Sequence, residues 1–386
     1  MTQEQLKLTK LLASKLFGGG NAPEGFELSA DILEEAKAQA VLYTIADDAA
    51  AQFMVQNMRV LNEHVRLHEL LTENGIPYVI IKGWASSYYY PEPIRRHLGD
   101  VDFFVRLEDR ARTSELLIKS GYRLTEDINP HHWSYRHDRI ELELHWRLNG
   151  APDGEPGDII ADHMADVFDR SVLVSTDVGQ MRIPSDFHNG LIMLLHMARH
   201  MTSSGMGLRH VCDWAVFVNR IDDFEAMFKE CFTRLGLWHY ACIMTRICEK
   251  YLGLPKQAWA EAEEIPDGVC EAAMEDLCEE GNMGKSMNIA YDHFFLPDIT
   301  EDPSAKSSGK FGSFTASLNR VTRNAMPVVK KFPALMPVGW LYVGVRYIFR
   351  VARGKRKMIN VTKAAASAGK RGALYDEFRL FEKWGK

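Results

Sequence analysis

The stretch Gly99-Asp100-Val101-Asp102-Phe103-Phe104-Val105 indicates how this chain folds. Val101 and Phe103 are apolar and two positions apart, which is typical of a β-strand that turns one face into a core. Side chains alternate along a strand, so Asp100 and Asp102 lie together on the opposite face. Two carboxylates this close repel each other unless a cation lies between them. The stretch therefore predicts either a solvated strand edge or a site for a hard divalent ion such as Mg²⁺.

The residues on either side predict an α+β fold with a small mixed β-sheet. An apolar, β-branched run at Tyr78–Ile81 is bounded by turn residues and indicates a buried strand before the aspartates. A helix is predicted from about Leu107 to Ser120. Further strands are predicted at 122–124, 133–135 and 140–148. Alternating strands and helices of this length are typical of a compact sheet with helices packed against it.

Four segments are predicted along the chain. Residues 1–74 read as an N-terminal helical extension, because leucines recur at spacings of three and four. Residues 75–184 form the α/β core, and residues 185–300 a helical domain. Residues 301–386 form a basic, helical C-terminal tail. The sheet is therefore expected to be the smaller part of the protein and the helical region after it the larger.

A third carboxylate is available in the segment Glu141-Leu142-Glu143-Leu144-His145-Trp146. Strand alternation places Glu141, Glu143 and His145 on one face and the apolar side chains on the other. Three ionisable groups on one face indicate either an exposed polar face or the wall of a cleft. In the second case Glu143 would add a third ligand to the ion between the two aspartates.

The dipeptide Lys82-Gly83 follows the first predicted strand and is expected to open a helix. A glycine lets the backbone approach a phosphate, and a helix N-terminus offers free N–H groups to an anion. Lys82 would add a positive charge there. The other interpretation is a capping turn with an exposed lysine.

Taken in order, these motifs resemble a known family. Lys82-Gly83, Arg96-x-x-Gly99-Asp100-x-Asp102-x-x-Val105 and Glu143-Leu144-His145-Trp146 are similar to motifs of the uncharacterised nucleotidyltransferase family, within the DNA polymerase β-like superfamily. His196-x-x-x-His200 and the run from Leu208-Arg209 to Asp213 resemble the second block of that family. The ordered combination is more specific than any one of its pieces.

The resemblance covers residues 75–214 approximately and implies an enzyme. It would transfer a nucleoside monophosphate from an NTP to an acceptor, release pyrophosphate and use Mg²⁺ or Mn²⁺. Asp100, Asp102 and Glu143 match the catalytic, metal-binding acids of the family. The chain departs from the common pattern at Glu143, where Asp is more frequent, and at Lys82-Gly83-Trp84, where the superfamily has Gly-Ser or Gly-Gly. The longer Glu143 side chain still reaches a metal, but the geometry around a base would shift.

The resemblance also implies nucleotide-binding roles for Lys82, Gly83, Arg96 and Arg209. Arg96 would either balance the charge of the acids or hold the triphosphate with two parallel hydrogen bonds. Arg209 lies four residues before Asp213 on a predicted helix. That spacing predicts either a salt bridge between the two or a role for Arg209 in orienting the substrate.

Several histidines have open roles. His196 and His200 share a helix face, which fits a transition-metal site, a cleft wall or a hydrogen-bonded interface. No role is assigned to His145. Three more histidines, His131, His132 and His137, flank a strand and are expected to be solvated loop residues.

The net charge of −6 conceals a strong asymmetry. Residues 306–386 carry 18 Lys and Arg against three acidic residues, whereas the rest of the chain carries 28 basic and 49 acidic residues. The segment 339–357 combines apolar and aromatic residues with a basic cluster. It fits either an interfacial helix on an anionic membrane or a helix packed on the acidic body. Nucleic acid is not expected as a partner, because no recognisable binding module accompanies the basic residues.

The sequence is compatible with three classes of function. The first is the metal-dependent enzyme, and the second is a non-catalytic protein on the same fold that binds a nucleotide or a partner. The third is a peripheral membrane protein organised by the basic tail, which would bind liposomes less at high salt. Retention of all three acids favours the enzyme. Six cysteines without a C-x-x-C pair and an N-terminus without a basic region and apolar run predict a cytoplasmic protein, membrane-peripheral if the tail binds lipid. The acceptor, the preferred NTP and the oligomeric state are not indicated.

Overall fold

The computed structural model describes residues 1–18, 26, 28–45, 50–127, 129, 131–203, 205–281, 296, 300, 309–326, 328–353 and 361–384. They form a five-stranded mixed sheet, a separate two-stranded hairpin and a larger set of helices. The predicted α+β fold class is therefore confirmed. Among the described helices, none has both the length and the apolar character needed to cross a membrane.

The parallel pairing at the centre of the sheet places the candidate acids side by side. The strands are β1 (Tyr78–Ile80), β2 (Val101–Val105), β3 (Arg123–Glu126), β4 (His132–His137) and β5 (Ile140–His145). Their order is β1-β2-β5-β4-β3, with β2 and β5 parallel and the other neighbours antiparallel. A parallel pair needs a long crossover, which here includes the helix at Arg110–Lys119 and the β3–β4 hairpin.

The two faces of the central strands have different environments. Phe103 on β2 and Leu144 on β5 are fully buried in a core that they share with the helix at Ala50–Glu73. Strand alternation turns Asp102 and Glu143 to the opposite face. The candidate acids therefore face the helical part of the protein.

In the described part of the chain, four helices precede the sheet, namely α1 (Gln3–Phe17), α2 (Ala30–Ala38), α3 (Leu42–Ile45) and α4 (Ala50–Glu73). Helix α2 ends before Ala40, whose φ of +53° lies outside the helical region of the backbone. Leu8 and Leu12 of α1 are fully buried in the core of the later helices, whereas α4 shares the core of the sheet. The four-segment division remains a prediction, and α4 lies with the sheet rather than with α1.

The helical region follows the sheet. Helices α5 (Gly83–Ser87) and α6 (Arg110–Lys119) belong to the sheet region, and α7 (Glu155–Met164) leads to the hairpin of β6 (Val172–Thr176) and β7 (Gly179–Ile183). The later helices are α8 (Asp186–Ser203), α9 (Leu208–Arg220), α10 (Phe224–Leu235), α11 (Trp238–Leu252), α12 (Ala258–Glu261), α13 (Val269–Glu280), α14 (Gly309–Ala325), α15 (Val328–Lys331), α16 (Met336–Ala352) and α17 (Val361–Glu377). Helices α8 and α9 contact α5 and so lie next to the start of the sheet region.

A buried ion pair joins the sheet region to the helical region. Arg96, just before β2, donates from Nε and Nη2 to the two carboxylate oxygens of Asp213 on α9, both at 2.7 Å. The Tyr90 hydroxyl donates to the same carboxylate at 2.8 Å. The spacing of Arg209 and Asp213 predicted either a salt bridge between them or a substrate-orienting role for Arg209. Asp213 pairs instead with Arg96, whose planar guanidinium makes two parallel hydrogen bonds to the carboxylate.

We expect the substitution Asp213→Asn to destabilise the protein by about 3–5 kcal/mol, because it leaves the charge of Arg96 buried without a counter-ion. Arg96 is 4% exposed and Asp213 is 3% exposed. The free energy of unfolding, measured by chemical denaturation, tests this expectation.

Glu92→Gln is the matched control. It removes the neighbouring ion pair between Arg95 and Glu92, whose glutamate side chain is 62% exposed. Exposed pairs contribute about 0–1 kcal/mol. Equal effects of the two substitutions would contradict a special role for the buried pair.

Candidate active site

Three carboxylates meet at the start of the parallel strand pair. Asp102 on β2 lies directly opposite Glu143 on β5 in the strand register. Asp100 precedes β2 by one residue and shares the face of Asp102. One oxygen from each of the three side chains lies within 4.8 Å of the others. The acids predicted from two separate motifs therefore converge on one point.

The buried carboxylate at this point is held by two neighbours. Asp102 is 2% exposed, and its Oδ1 accepts hydrogen bonds from Lys82 Nζ and from His145 Nε2, both at 2.8 Å. Burial alone would raise the pKa of Asp102, but Lys82 and the hydrogen bond from His145 outweigh it and lower that pKa. Asp102 is therefore ionised at neutral pH.

Lys82 is the counter-ion of this cluster. Burial tends to lower its pKa, but the charges of Asp102, Glu143 and Asp100 outweigh burial and raise it. The sequence suggested an exposed or phosphate-facing lysine, and the structure gives its ammonium a carboxylate partner. The backbone of Lys82 has a φ of +56°, an unusual value for a residue with a side chain.

The ionised form of Asp100 is disfavoured by its neighbours, unlike that of Asp102. The charge of Asp102 is the main reason that its pKa rises to about 6, with burial and Glu143 adding to the effect and Lys82 opposing it. Repulsion between neighbouring carboxylates is the expected state of a cation site before a cation binds.

Gly83 has a φ of +34°, a backbone conformation that favours glycine. A Cβ atom placed there would make ordinary van der Waals contacts, 3.4 Å from His64 Nε2 and 3.7 Å from the Asp100 carbonyl oxygen. The helix that Gly83 opens, α5, has only five residues. The expected helix N-terminal anion site therefore has little helix behind it, and Gly83 lies next to α4.

Two histidines complete the acidic wall, and neither had an assigned role in the sequence. His145 is fully buried, and its Nε2 donates to Asp102 at 2.8 Å and to Glu143 at 3.1 Å. Burial lowers the pKa of His145, but the hydrogen bonds to the two acids outweigh it and raise that pKa. His132 was expected in a solvated loop. It instead begins β4, is 8% exposed and lies 3.5 Å from Glu143.

The two-residue period of a strand could have indicated the role of His145, because His145 lies two residues after Glu143 and therefore on the same strand face. His132 had no such signal, because its position depends on the antiparallel register that pairs it with His145. The third residue of the predicted polar face, Glu141, is exposed and pairs with Arg136 rather than with the acids.

The acids form one wall of a cavity of about 1070 Å³. Drug-sized ligands bind in pockets of about 300–1,000 Å³, so the cavity has room for a nucleotide. The opposite wall includes His196 and His200 of α8, so both histidines lie at the cleft. Their position alone does not distinguish a metal-binding role from a structural one. The cavity is also lined by six arginines, namely Arg96, Arg136, Arg139, Arg147, Arg199 and Arg209.

Arg209 differs from Arg96 in its bonding. Both guanidinium edges of Arg96 are occupied by Asp213 and by a backbone carbonyl. No ion pair involves Arg209 among the described residues, and its Nε is buried without a hydrogen-bond partner there. Burial and the charge of Arg96 lower the pKa of Arg209, so an anion beside it would be stabilised. Of the two arginines, Arg209 has the free donor.

Comparisons with known proteins show the family of the chain. The model of a family described as uncharacterised nucleotidyltransferase matches residues 28–253, more than half of the chain. No curated protein is significantly similar in sequence. Among solved structures, the chain is similar to an antigenic nucleotidyltransferase-like protein from Paracoccidioides brasiliensis, with 13% identity, 54% of this chain and 96% of that chain covered, and a TM-score of 0.32. By the match to its family model, the chain belongs to the uncharacterised nucleotidyltransferase family.

Proposed function

We propose that the chain is a nucleotidyltransferase that uses Mg²⁺ or Mn²⁺ to move a nucleoside monophosphate from an NTP to an acceptor, with release of pyrophosphate. The observation that carries this proposal is the convergence of Asp100, Asp102 and Glu143 within 4.8 Å at the wall of a large cavity. Family membership supports the reaction class, and the metal, the donor and the roles of these residues are our proposal.

The three acids fit a hard divalent ion. All of their donor atoms are oxygens, which Mg²⁺ and Mn²⁺ prefer. The raised pKa of Asp100, caused mainly by Asp102 and then by burial, is a repulsion that a bound cation would relieve. When bound, divalent ions neutralise the charge that develops on the attacking and leaving oxygens.

The side chains of this protein would position the reactants rather than form covalent intermediates, as is usual in phosphoryl transfer. Arg209, with its buried unpartnered Nε, would hold phosphate oxygens by charge-assisted hydrogen bonds. Glu143, hydrogen-bonded to His145 at 3.1 Å, would orient the acceptor hydroxyl and accept its proton. Arg96 would act indirectly, by holding the helical wall against the sheet through Asp213.

We expect Asp100→Asn to lower the rate of NTP consumption by more than about 100-fold, because metal ions contribute several kcal/mol of charge stabilisation. The melting temperature without metal should not fall, since the substitution removes a charge that repels Asp102. Pyrophosphate release from each of the four NTPs with Mg²⁺ or Mn²⁺ measures the effect.

The exposed Glu126 on the edge strand β3 provides the control, as Glu126→Gln. It removes a carboxylate outside the cavity and should leave the rate unchanged. A parent protein that is stabilised by an NTP but never consumes it would favour the non-catalytic binding protein. Normal turnover by Asp100→Asn would remove the acids from the mechanism.

We also propose that α16 attaches the protein to an anionic membrane surface. Its apolar side chains at spacings of three and four form an exposed stripe. The stripe comprises Val338, Leu341, Tyr342, Val345, Ile348 and Phe349, which are 44–69% exposed. The other side of α16 packs on α14, where Trp340 Nε1 donates to Asn319 at 2.8 Å. The stripe is therefore left open to a partner.

The basic residues near the stripe favour an anionic membrane as the partner. The described ends and flank of α16 carry exposed basic residues at Lys331, Arg346, Arg350 and Arg353. No acidic residue occurs between residues 309 and 353. An exposed apolar stripe beside basic residues is the pattern of a helix that lies in the interface of an anionic bilayer.

We expect the protein to sediment with vesicles of phosphatidylserine and phosphatidylcholine, and to do so less at high salt. The double substitution Leu341→Asp and Ile348→Asp should abolish sedimentation, because it places two charges on the face of α16 that would enter the membrane. Leu107→Asp, at an equally exposed leucine, 59% exposed and outside α16, is the control.

Unchanged sedimentation of the double variant would contradict this proposal. So would a parent protein that ignores the vesicles and instead self-associates through the same residues, as measured by analytical ultracentrifugation.

A further inference from the structure

We propose that His196, His200 and His210 form a second metal site, for a divalent transition ion such as Zn²⁺, on the helical wall of the cavity. His196 and His200 lie one turn apart on α8, and His210 lies on α9. One ring nitrogen from each lies within 4.8 Å of the others. The site is separate from the acidic cluster and uses nitrogen donors in place of oxygen.

One hydrogen bond of His200 fixes its tautomer and directs its Nε2 towards the other histidines. Its Nδ1 lies 3.3 Å from the Gly205 carbonyl oxygen, which can only accept, so Nδ1 carries the proton. Its Nε2 therefore accepts a hydrogen bond from the Nε2–H of His196 at 2.9 Å. A metal would take the place of this proton, which would move to Nδ1 of His196. A backbone carbonyl that fixes the tautomer in this way is a common support of a metal-binding histidine.

The buried side chain of His210 gives independent support for a ligand at this site. Its side chain is 2% exposed, yet neither ring nitrogen has a hydrogen-bond partner among the described residues. Its ring centroid lies 4.7 Å from that of His200 and 5.4 Å from that of His196. A buried imidazole with two unsatisfied nitrogens opposes folding and calls for a ligand. A metal bound to the three histidines would satisfy it.

The spacing of the pair His196 and His200 is close to that around a tetrahedral ion. Zinc–nitrogen bonds of about 2.0–2.1 Å in a tetrahedron place two nitrogens about 3.3 Å apart. The pair His196 and His200 lies at 2.9 Å, so the two rings need to separate by only a few tenths of an ångström. Since both line the cavity, a fourth ligand would come from the cavity.

The surrounding charges allow a cation there. Of the four nearby cations, Lys82 pairs with Asp102, Arg96 pairs with Asp213, and Arg199 donates a hydrogen bond to Thr300. Arg209 has no ion pair among the described residues, and its charge favours an anion as the fourth ligand. Nitrogen donors select Zn²⁺, Co²⁺ or Ni²⁺ over Mg²⁺, so the two walls of the cavity would hold ions of different chemistry.

Titration of tag-free, chelator-stripped protein with Co²⁺ tests the site, since tetrahedral Co²⁺ with nitrogen ligands absorbs visible light more strongly than octahedral Co²⁺ with oxygen ligands. We expect one strongly absorbing Co²⁺ per chain, displaced by one Zn²⁺. Loss of a supporting hydrogen bond alone weakens metal binding by about 10–100-fold. His200→Gln and His210→Gln should therefore weaken Zn²⁺ binding by more than about 100-fold.

Two controls keep the test specific. His97→Gln changes a histidine that lines the same cavity outside the cluster, and Asp100→Asn weakens the acidic site. Both should retain the Co²⁺ band. If the buried His210 variant does not fold, His200→Gln at the cavity wall decides the question alone.

A parent protein without an intense band would overturn the proposal, as would His200→Gln with the affinity of the parent. The measurement needs no NTP, so its outcome is independent of the nucleotidyltransferase proposal.

Discussion

The parallel register between β2 and β5 is the constraint on which the site depends. It sets Asp102 directly beside Glu143, with His145 two residues further along the same strand face. A slip of one residue would turn Glu143 into the core and Leu144 towards the cavity. Leu142 and Leu144 are fully buried in the sheet core, so the hydrophobic effect opposes that slip. The position of the acids is therefore maintained by the apolar side chains that alternate with them.

The acidic wall is stabilised by charges from other elements. Asp102 is buried and would be unstable as an anion alone, and Lys82 and His145 compensate it. Lys82 comes from the loop before α5 and His145 from β5, so the site requires both elements to be in place. Asp100 has no equivalent compensation, and its pKa, raised chiefly by Asp102, reflects that imbalance.

The cavity lies between a wall formed by the sheet and a wall formed by helices, and contacts between the two walls fix their relative position. The Arg96–Asp213 pair connects the two walls, and Tyr90 adds a hydrogen bond to it. Behind the helical wall lies a continuous aromatic core that includes Trp214, Phe217 and Phe228. The histidines and Arg209 on α8 and α9 are therefore presented from a rigid base, as a binding site requires.

Local sequence determined the strand with its paired aspartates, the polar face of β5 and the helical character of the remainder. These follow from periodicity, because the side-chain period of a strand or helix is set by backbone geometry alone. The motif order also led to the correct family. The periodicity did not indicate which charged residues form ion pairs. Arg96 and Asp213 are 117 residues apart, and the helical spacing pointed instead to Arg209.

Tertiary structure decided the partners of Lys82, Arg96 and His132 and the position of His210. Each of these contacts joins different secondary-structure elements, and its geometry depends on strand register and helix packing. The burial of His132 and the convergence of His210 with His196 and His200 have no periodic signature, because no local repeat encodes which elements meet. Sequence periodicity thus specified the faces of the elements, and packing specified which faces came together.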